Sequence, residues 1–161
     1  MYDSEEPKRT SLDLKINPLW QMIISLVLMY AIARLLPIAS ALIDYKWFAS
    51  VFLLVVGTFF ITAGEISFYW VKTTLNPEKP ENASSLVTSG IYHKTRNPMY
   101  VGLVFLLLAW AAWLMSFFSV IVVVFFQQYM TRFQIIPEER ALTNLFPEEC
   151  RNYCKKVRRW L

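Results

Sequence analysis

From Asn97 to Thr131 the chain carries no charged side chain. An apolar run of that length exceeds what one helix needs to cross a bilayer core, which takes roughly 20 residues. It is therefore one very long helix or two apolar helices folded back on each other. Two further apolar stretches precede it, Leu19–Leu36 and Trp47–Trp70, and the uncharged run itself divides into Met99–Leu114 and Phe117–Tyr129. Charge decides between one helix and two. In a hairpin, the leader residues Lys8, Arg9 and Lys15, the loop residues Lys72, Lys79, Lys94 and Arg96, and all Lys and Arg from Arg132 to Arg159 share one side; only Arg34 and Lys46 face the other. A single helix would send the basic tail across the membrane, against the tendency of Lys and Arg to stay cytoplasmic. The expectation is an all-α membrane protein of four transmembrane helices, the third and fourth a hairpin with its tip near Met115–Ser119, followed by amphipathic C-terminal helices. Both termini then lie in the cytoplasm, with Tyr45, Trp47, Trp110 and Trp113 near the outer interface, where amphipathic rings favour the headgroup level.

Composition agrees. The chain is 56% hydrophobic and only 17% charged, against about 25% charged in soluble domains. The net charge of +4 is dispersed around apolar runs, which argues against nucleic-acid binding, since phosphate tracking needs a continuous basic face. Residues 1–17 form a polar leader with no apolar core of the signal-peptide kind. Residues 18–71 hold the first two spans, and 72–161 the loop, hairpin and tail, all of one domain. The single histidine, His93, has no cysteine–histidine cluster around it, so no protein-bound metal is expected; it reads as a solvated loop residue. Cys150 and Cys154, four apart on a helix, share one face at a spacing unsuited to a strain-free disulfide and read as reduced, packed thiols.

The segment Asn76–Thr95 is polar and broken by Pro77, Pro80 and Gly90, which suits an ordered cytoplasmic loop. Pro98 then opens the third span as a first helical residue. A helix start offers unpaired N–H groups to an anion, and Arg96 places a positive charge beside it. In the tail, Pro137 opens a helix whose first turn carries Glu138 and Glu139, where the helix dipole favours carboxylates. Ala141, Leu142, Leu145 and Phe146 make its apolar stripe. After Pro147 a second helix sets Tyr153, Val157 and Trp160 against Lys155, Lys156, Arg158 and Arg159, cations expected to face anionic headgroups. Glu65, near the cytoplasmic end of the second span, is an ionisable group in an apolar helix and so a candidate for function or for a plain interfacial anchor.

The run Leu86-Val-Thr-Ser-Gly-Ile-Tyr-His-Lys-Thr-Arg-Asn-Pro-Met-Tyr-Val-Gly102 resembles the signature of isoprenylcysteine carboxyl methyltransferases and is similar to the Arg-(His/Asn)-Pro-x-Tyr signature of phospholipid methyltransferases. The tail, Arg132-Phe-Gln-Ile-Ile-Pro-Glu-Glu-Arg-Ala-Leu142 with Leu145-Phe-Pro-Glu-Glu-Cys-Arg-Asn-Tyr-Cys-Lys-Lys-Val157, resembles the second half of the same pattern. Together the blocks cover about residues 84–160, in the family's order and spacing. The resemblance implies S-adenosylmethionine as cofactor, wrapped by Ser84, Ser85, Leu86, Val87, Tyr92, Asn97, Pro98, Met99 and Tyr100 and closed by Glu138. It also implies that a tail arginine, by position Arg132, handles the acceptor. Two departures stand out. Asn97 replaces the histidine of the prenylcysteine enzymes, which moves the chain toward bacterial and phospholipid-type members and a bacterial inner membrane. Pro147 and Cys150 replace glycine and tyrosine.

The residue types suit the chemistry. Methyl transfer is an in-line displacement, so an enzyme mainly has to hold nucleophile and methyl group close and aligned. Glu138 or Glu139 could hydrogen-bond the ribose or ammonium of the cofactor, and Arg96 or Arg132 could orient an anionic acceptor through a fork of donors. Catalytic candidates are therefore Arg132, Arg96 and Glu139, with a lipid-like or isoprenoid-type acceptor methylated at carboxyl, amine or thiol. Two other classes remain open: an NADPH-dependent membrane reductase like the sterol reductases, and a non-catalytic membrane adaptor whose tail is only an anchor.

Overall fold

The computed structural model describes residue 14 and residues 16–36, 45–71 and 83–161. The polar leader up to Asp13 and the first part of the loop, with Lys72, Pro77, Lys79 and Pro80, lie outside the described residues. Every regular element among those described is helical: α1 (Pro18–Leu35), α2 (Lys46–Val71), a single 3-10 turn (Gly90–His93), α3 (Pro98–Leu114), α4 (Ser119–Met130), a π-turn (Thr131–Ile135), α5 (Ile136–Leu145) and α6 (Pro147–Lys156).

Three helical stretches are long and apolar enough to cross a membrane: α1, α2 and the continuous run Ser119–Leu145. The apolar α3 has 17 residues; at 1.5 Å per residue it reaches about 25 Å, short of a core of about 30 Å. The expected hairpin is present, and α3 turns into α4 at the expected place. Its tip does without glycine because Met115 itself takes the left-handed conformation, with φ 51° and ψ 34°, and its N–H closes on the carbonyls of Ala111 and Ala112.

The fourth helix does not stop where the apolar run stops. It continues through the π-turn into α5, and the reason lies in Pro137. A proline in a helix interior lacks the N–H that would reach the carbonyl four residues back, and its ring crowds that carbonyl. Here the carbonyl is that of Phe133. The π-turn widens the helix at this point, with Ile136 N–H bonding Thr131 O, and the freed Phe133 carbonyl accepts the Leu14 N–H at 3.0 Å. The proline thus shapes a bulge rather than starting a separate helix.

Helix α2 packs on α3 through small residues. Its buried positions are Ser50, Gly57, Gly64 and Ser67, and the spacing of seven between the first three keeps one narrow stripe toward its partner. A Cβ on Gly102 would stand 2.7 Å from Gly57 O and 2.5 Å from Ile61 Cγ1, while one on Gly64 would stand 2.8 Å from Met99 Cγ. The two backbones approach because nothing projects between them. Helix α1 is tied to the hairpin by Trp110 Nε1–H donating to Leu26 O at 3.2 Å and Ser119 Oγ–H to Met29 O at 3.3 Å. Met29 and Leu107 are wholly enclosed, in a core that also takes in Val123, Phe126 and Met130. At the other end of α2, Trp47 meets Trp113 edge-on at 4.4 Å and the Lys46 ammonium lies 5.0 Å over Trp113, so these aromatics share one end of the bundle.

Candidate functional site

At the opposite end, the segment before α3 meets the tail. The 3-10 turn starts at Gly90, whose φ of +62° places it where L side chains are strained, with Ser67 Oγ 2.8 Å from where a Cβ would be. That close seat on α2 sets the direction of the turn. Tyr92 is carried inward by it, 6% exposed. Its ring stands edge-on to Phe68 at 5.7 Å, and its backbone carbonyl accepts the Tyr153 hydroxyl at 2.7 Å. Burial first, then the neighbouring Tyr153 and Glu138, hold the Tyr92 phenol well above its ordinary range, so it remains a proton donor.

Further along, Thr95 and Asn97 both grip the end of the tail. Thr95 Oγ1 donates to Arg159 O at 3.1 Å, Asn97 Nδ2 to the same carbonyl at 3.0 Å, and Arg96 N–H to Arg158 O at 2.9 Å. Asn97 is the N-cap of α3, yet its side chain makes no capping bond. Among the described residues the first-turn N–H groups of α3 therefore have no capping side chain from Asn97.

Tyr100, one turn into α3, donates its hydroxyl to Glu138 Oε1 at 2.6 Å, and Gln134 Nε2 donates to the same oxygen at 3.1 Å. Glu138 as a whole is half-buried, and both donors meet the same carboxyl oxygen. Among the described residues no ion pair to Glu138 is present. Glu139, next in the chain, points to a different set of partners. Its carboxylate pairs with Arg96 Nη1 at 3.0 Å and takes a bidentate grip from Arg159, Nε at 3.1 Å and Nη2 at 2.7 Å. Such a fork is the strong form of an ion pair. Arg96 Nη1 also lies 2.7 Å from Cys154 Sγ.

The structure thus brings Tyr92, Asn97, Pro98, Tyr100 and Glu138 to one end of the bundle, all except Glu138 buried as whole residues, and it joins Arg96 to Glu139. Val87 is buried, Leu86, Ser85 and Met99 half-buried and Ser84 exposed; no described contact ties Ser84, Ser85, Leu86 or Val87 to Glu138. Arg132 is not part of the Arg96–Glu139 cluster. Its guanidinium lies 5.8 Å from the Phe133 ring, and its buried Nη1 has no hydrogen-bond partner among the described residues. Glu65 sits on the exposed face of α2 while its neighbour Gly64 faces α3, and His93 is exposed.

Several participants escaped the sequence reading. Arg159, expected among headgroup-facing cations, instead turns in to Glu139. Thr95, Tyr153 and Trp160, whose Nε1–H reaches Thr131 Oγ1 at 3.1 Å, knit the tail to the loop and to the π-turn. Gln134 could have been found, because it precedes Glu138 by four and so shares its helix face. Cys154 packs as expected for a half-buried thiol but also touches Arg96, which no spacing rule indicated.

An uncharacterized protein of Haemophilus influenzae is 43% identical over 63 residues, which is 39% of this chain and the whole of that protein. No solved structure matches. The sequence pattern of phospholipid methyltransferases matches residues 45–149, from the start of α2 into α6. That stretch contains α2, the turn, the hairpin, Glu138 and Glu139, and on it the chain belongs to the phospholipid methyltransferase family.

Proposed function

We propose that this protein transfers a methyl group from S-adenosylmethionine to a membrane-borne, lipid-like acceptor, at the cytoplasmic end of a four-span bundle. One observation supports it above the rest: the half-buried Glu138 carboxyl takes hydrogen-bond donors on one oxygen and has no cation paired to it among the described residues. A carboxylate so placed is costly unless a positive group joins it. The cofactor brings two such groups, a sulfonium and an ammonium, and its own carboxylate suits the uncapped start of α3. The residues present therefore fit it. When bound, it supplies a methyl group made electrophilic by the sulfonium charge.

Within this reading Tyr100 and Gln134 aim the Glu138 carboxylate, Tyr92, Asn97, Pro98 and Met99 wall the site, and Ser84–Val87 approach it from the loop. Arg96 and Glu139, locked together with Arg159, hold that loop against the tail, a positioning role. Arg132 keeps a buried Nη1 free for an anionic group of the acceptor. Close alignment of acceptor and methyl carries the rate, as effective molarity does in any such displacement.

The test is to incubate detergent-purified protein with methyl-labelled S-adenosylmethionine and a total lipid extract of its host. The expected result is label in a lipid-soluble product. No labelled product, combined with oxidation of NADPH by the same preparation, would replace this reading with a reductase.

A further inference from the structure

Helix α6 carries a feature that methyl transfer does not use. Cys150 and Cys154 lie one turn apart with their sulfurs 3.9 Å from each other. Cys150 is 2% exposed and its Sγ also meets Thr143 Oγ1 at 3.2 Å. Cys154 is half-buried, and its sulfur accepts from Arg96 Nη1. Arg96 in turn holds Glu139, which holds Arg159, whose carbonyl is the anchor for Thr95 and Asn97. The thiol pair therefore stands at the root of the polar lattice that fastens the tail to the start of α3. Both cysteines are free.

We propose that Cys150 and Cys154 form an oxidative modification site, a dithiol that hydrogen peroxide or an alkyl hydroperoxide converts to an intrahelical disulfide, withdrawing Cys154 from Arg96. The ionised sulfur of the pair attacks the O–O bond of the peroxide, forming a sulfenic acid and expelling hydroxide, or alkoxide from an alkyl hydroperoxide, which takes up the proton the thiol lost on ionising and leaves as water or alcohol. The second sulfur then displaces hydroxide, which leaves as water with the remaining thiol proton. Two thiols are oxidised by two electrons, and the peroxide is reduced. The surroundings favour a thiolate: the hydrogen bond from Cys154 holds the Cys150 thiol below its ordinary range, aided by Thr143 and Arg96 and opposed by burial and Glu139. Thiolate character favours oxidation at Cys150, and the half-buried Cys154 beside it is the solvent-facing member of the pair. Helical neighbours four apart have Cβ atoms about 5–6 Å apart, more than the ~3.5–4.5 Å of a disulfide. Bridging therefore unwinds the last turn of α6 and pulls on Arg96, and the bond is readily reduced again. The effect on cofactor rests on the function proposed above; the thiol chemistry does not.

The full-length protein in detergent, reduced and then exposed to hydrogen peroxide, tests both halves. Expected are loss of both titratable thiols, a mass decrease of about 2 Da with no dimer on a non-reducing gel, and recovery with dithiothreitol. Cys150→Ser and Cys154→Ser cannot show the 2 Da decrease. Two thiols retained, or oxygen adducts or dimers in place of the internal disulfide, would overturn the site. Labelled S-adenosylmethionine should bind the oxidised wild type about tenfold more weakly, a factor worth about 1.4 kcal/mol, while peroxide leaves the affinity of Cys154→Ser as it was. An internal disulfide with unchanged affinity would overturn the link to Arg96. Failure of the reduced wild type to bind the cofactor would count against the proposed function and leave the thiol result to be judged by mass alone.

Discussion

The two halves of this molecule hold together by different means. In α1 and in α2 only 17% of the span is buried, against 39% in the run from α4 into α5. The first half is held by shape: glycines that let α2 touch α3, and two side chains that tie α1 to the hairpin. The second half is held by named polar partners, Tyr100 with Glu138, Arg96 and Arg159 with Glu139, Asn97 and Thr95 with a single carbonyl. In lipid, apolar side chains facing outward gain little from their identity, because the surrounding tails are as apolar as they are. A half built on packing constrains only its contact stripe; a half built on hydrogen bonds constrains nearly every residue that makes one.

The largest effect should come where the first half does depend on one atom. Gly102→Val places a Cβ against the Gly57 carbonyl, a backbone atom that cannot swing aside; the loss should exceed the usual overpacking cost of about 1–3 kcal/mol, read as little folded protein by size-exclusion chromatography. Next is Glu138→Gln, which keeps the shape and removes the charge. Hydrogen bonds to charged groups are worth about 1.5–3 kcal/mol, so cofactor affinity should fall by roughly 10–100-fold with the melting temperature hardly moved. Glu139→Gln should do the reverse. Arg96 and Arg159 would lose their shared partner, costing about 1–2 kcal/mol after allowance for solvent exposure, seen as a lower melting temperature and faster proteolysis of the tail. Met115→Gly relieves the left-handed residue at the hairpin tip and should stabilise by about 1 kcal/mol. Smallest of all, Val55→Leu on the outward face of α2 should change stability by less than ~0.5 kcal/mol. A large effect there would break the comparison.

What the sequence revealed follows the same division. The apolar stretches and the hairpin were legible, because hydropathy acts through composition alone. The Pro98 and Pro137 signals were legible too, but only in part: Pro98 opens α3 as expected, while Pro137 makes a bulge in a continuous helix, since the chain upstream was already helical. The tail cations were misjudged at Arg159. An amphipathic pattern says which face is polar, and it cannot say that a carboxylate on another helix waits there. The partners of Glu138 were half legible, Tyr100 through the family pattern and Gln134 through helical spacing. Cys154 against Arg96 was not legible at all, because that contact joins residues 58 apart that share no pattern.

The central claim is that the half-buried Glu138 carboxyl, aimed by Tyr100 and Gln134, is where the cofactor's positive charge sits. Equilibrium binding of labelled S-adenosylmethionine to the purified wild type and to Glu138→Gln tests it most directly. The account predicts saturable binding to the wild type and an affinity roughly 10–100-fold lower in the variant, with both proteins equally folded. Equal affinity in the two, or binding of NADPH in place of S-adenosylmethionine, would contradict it.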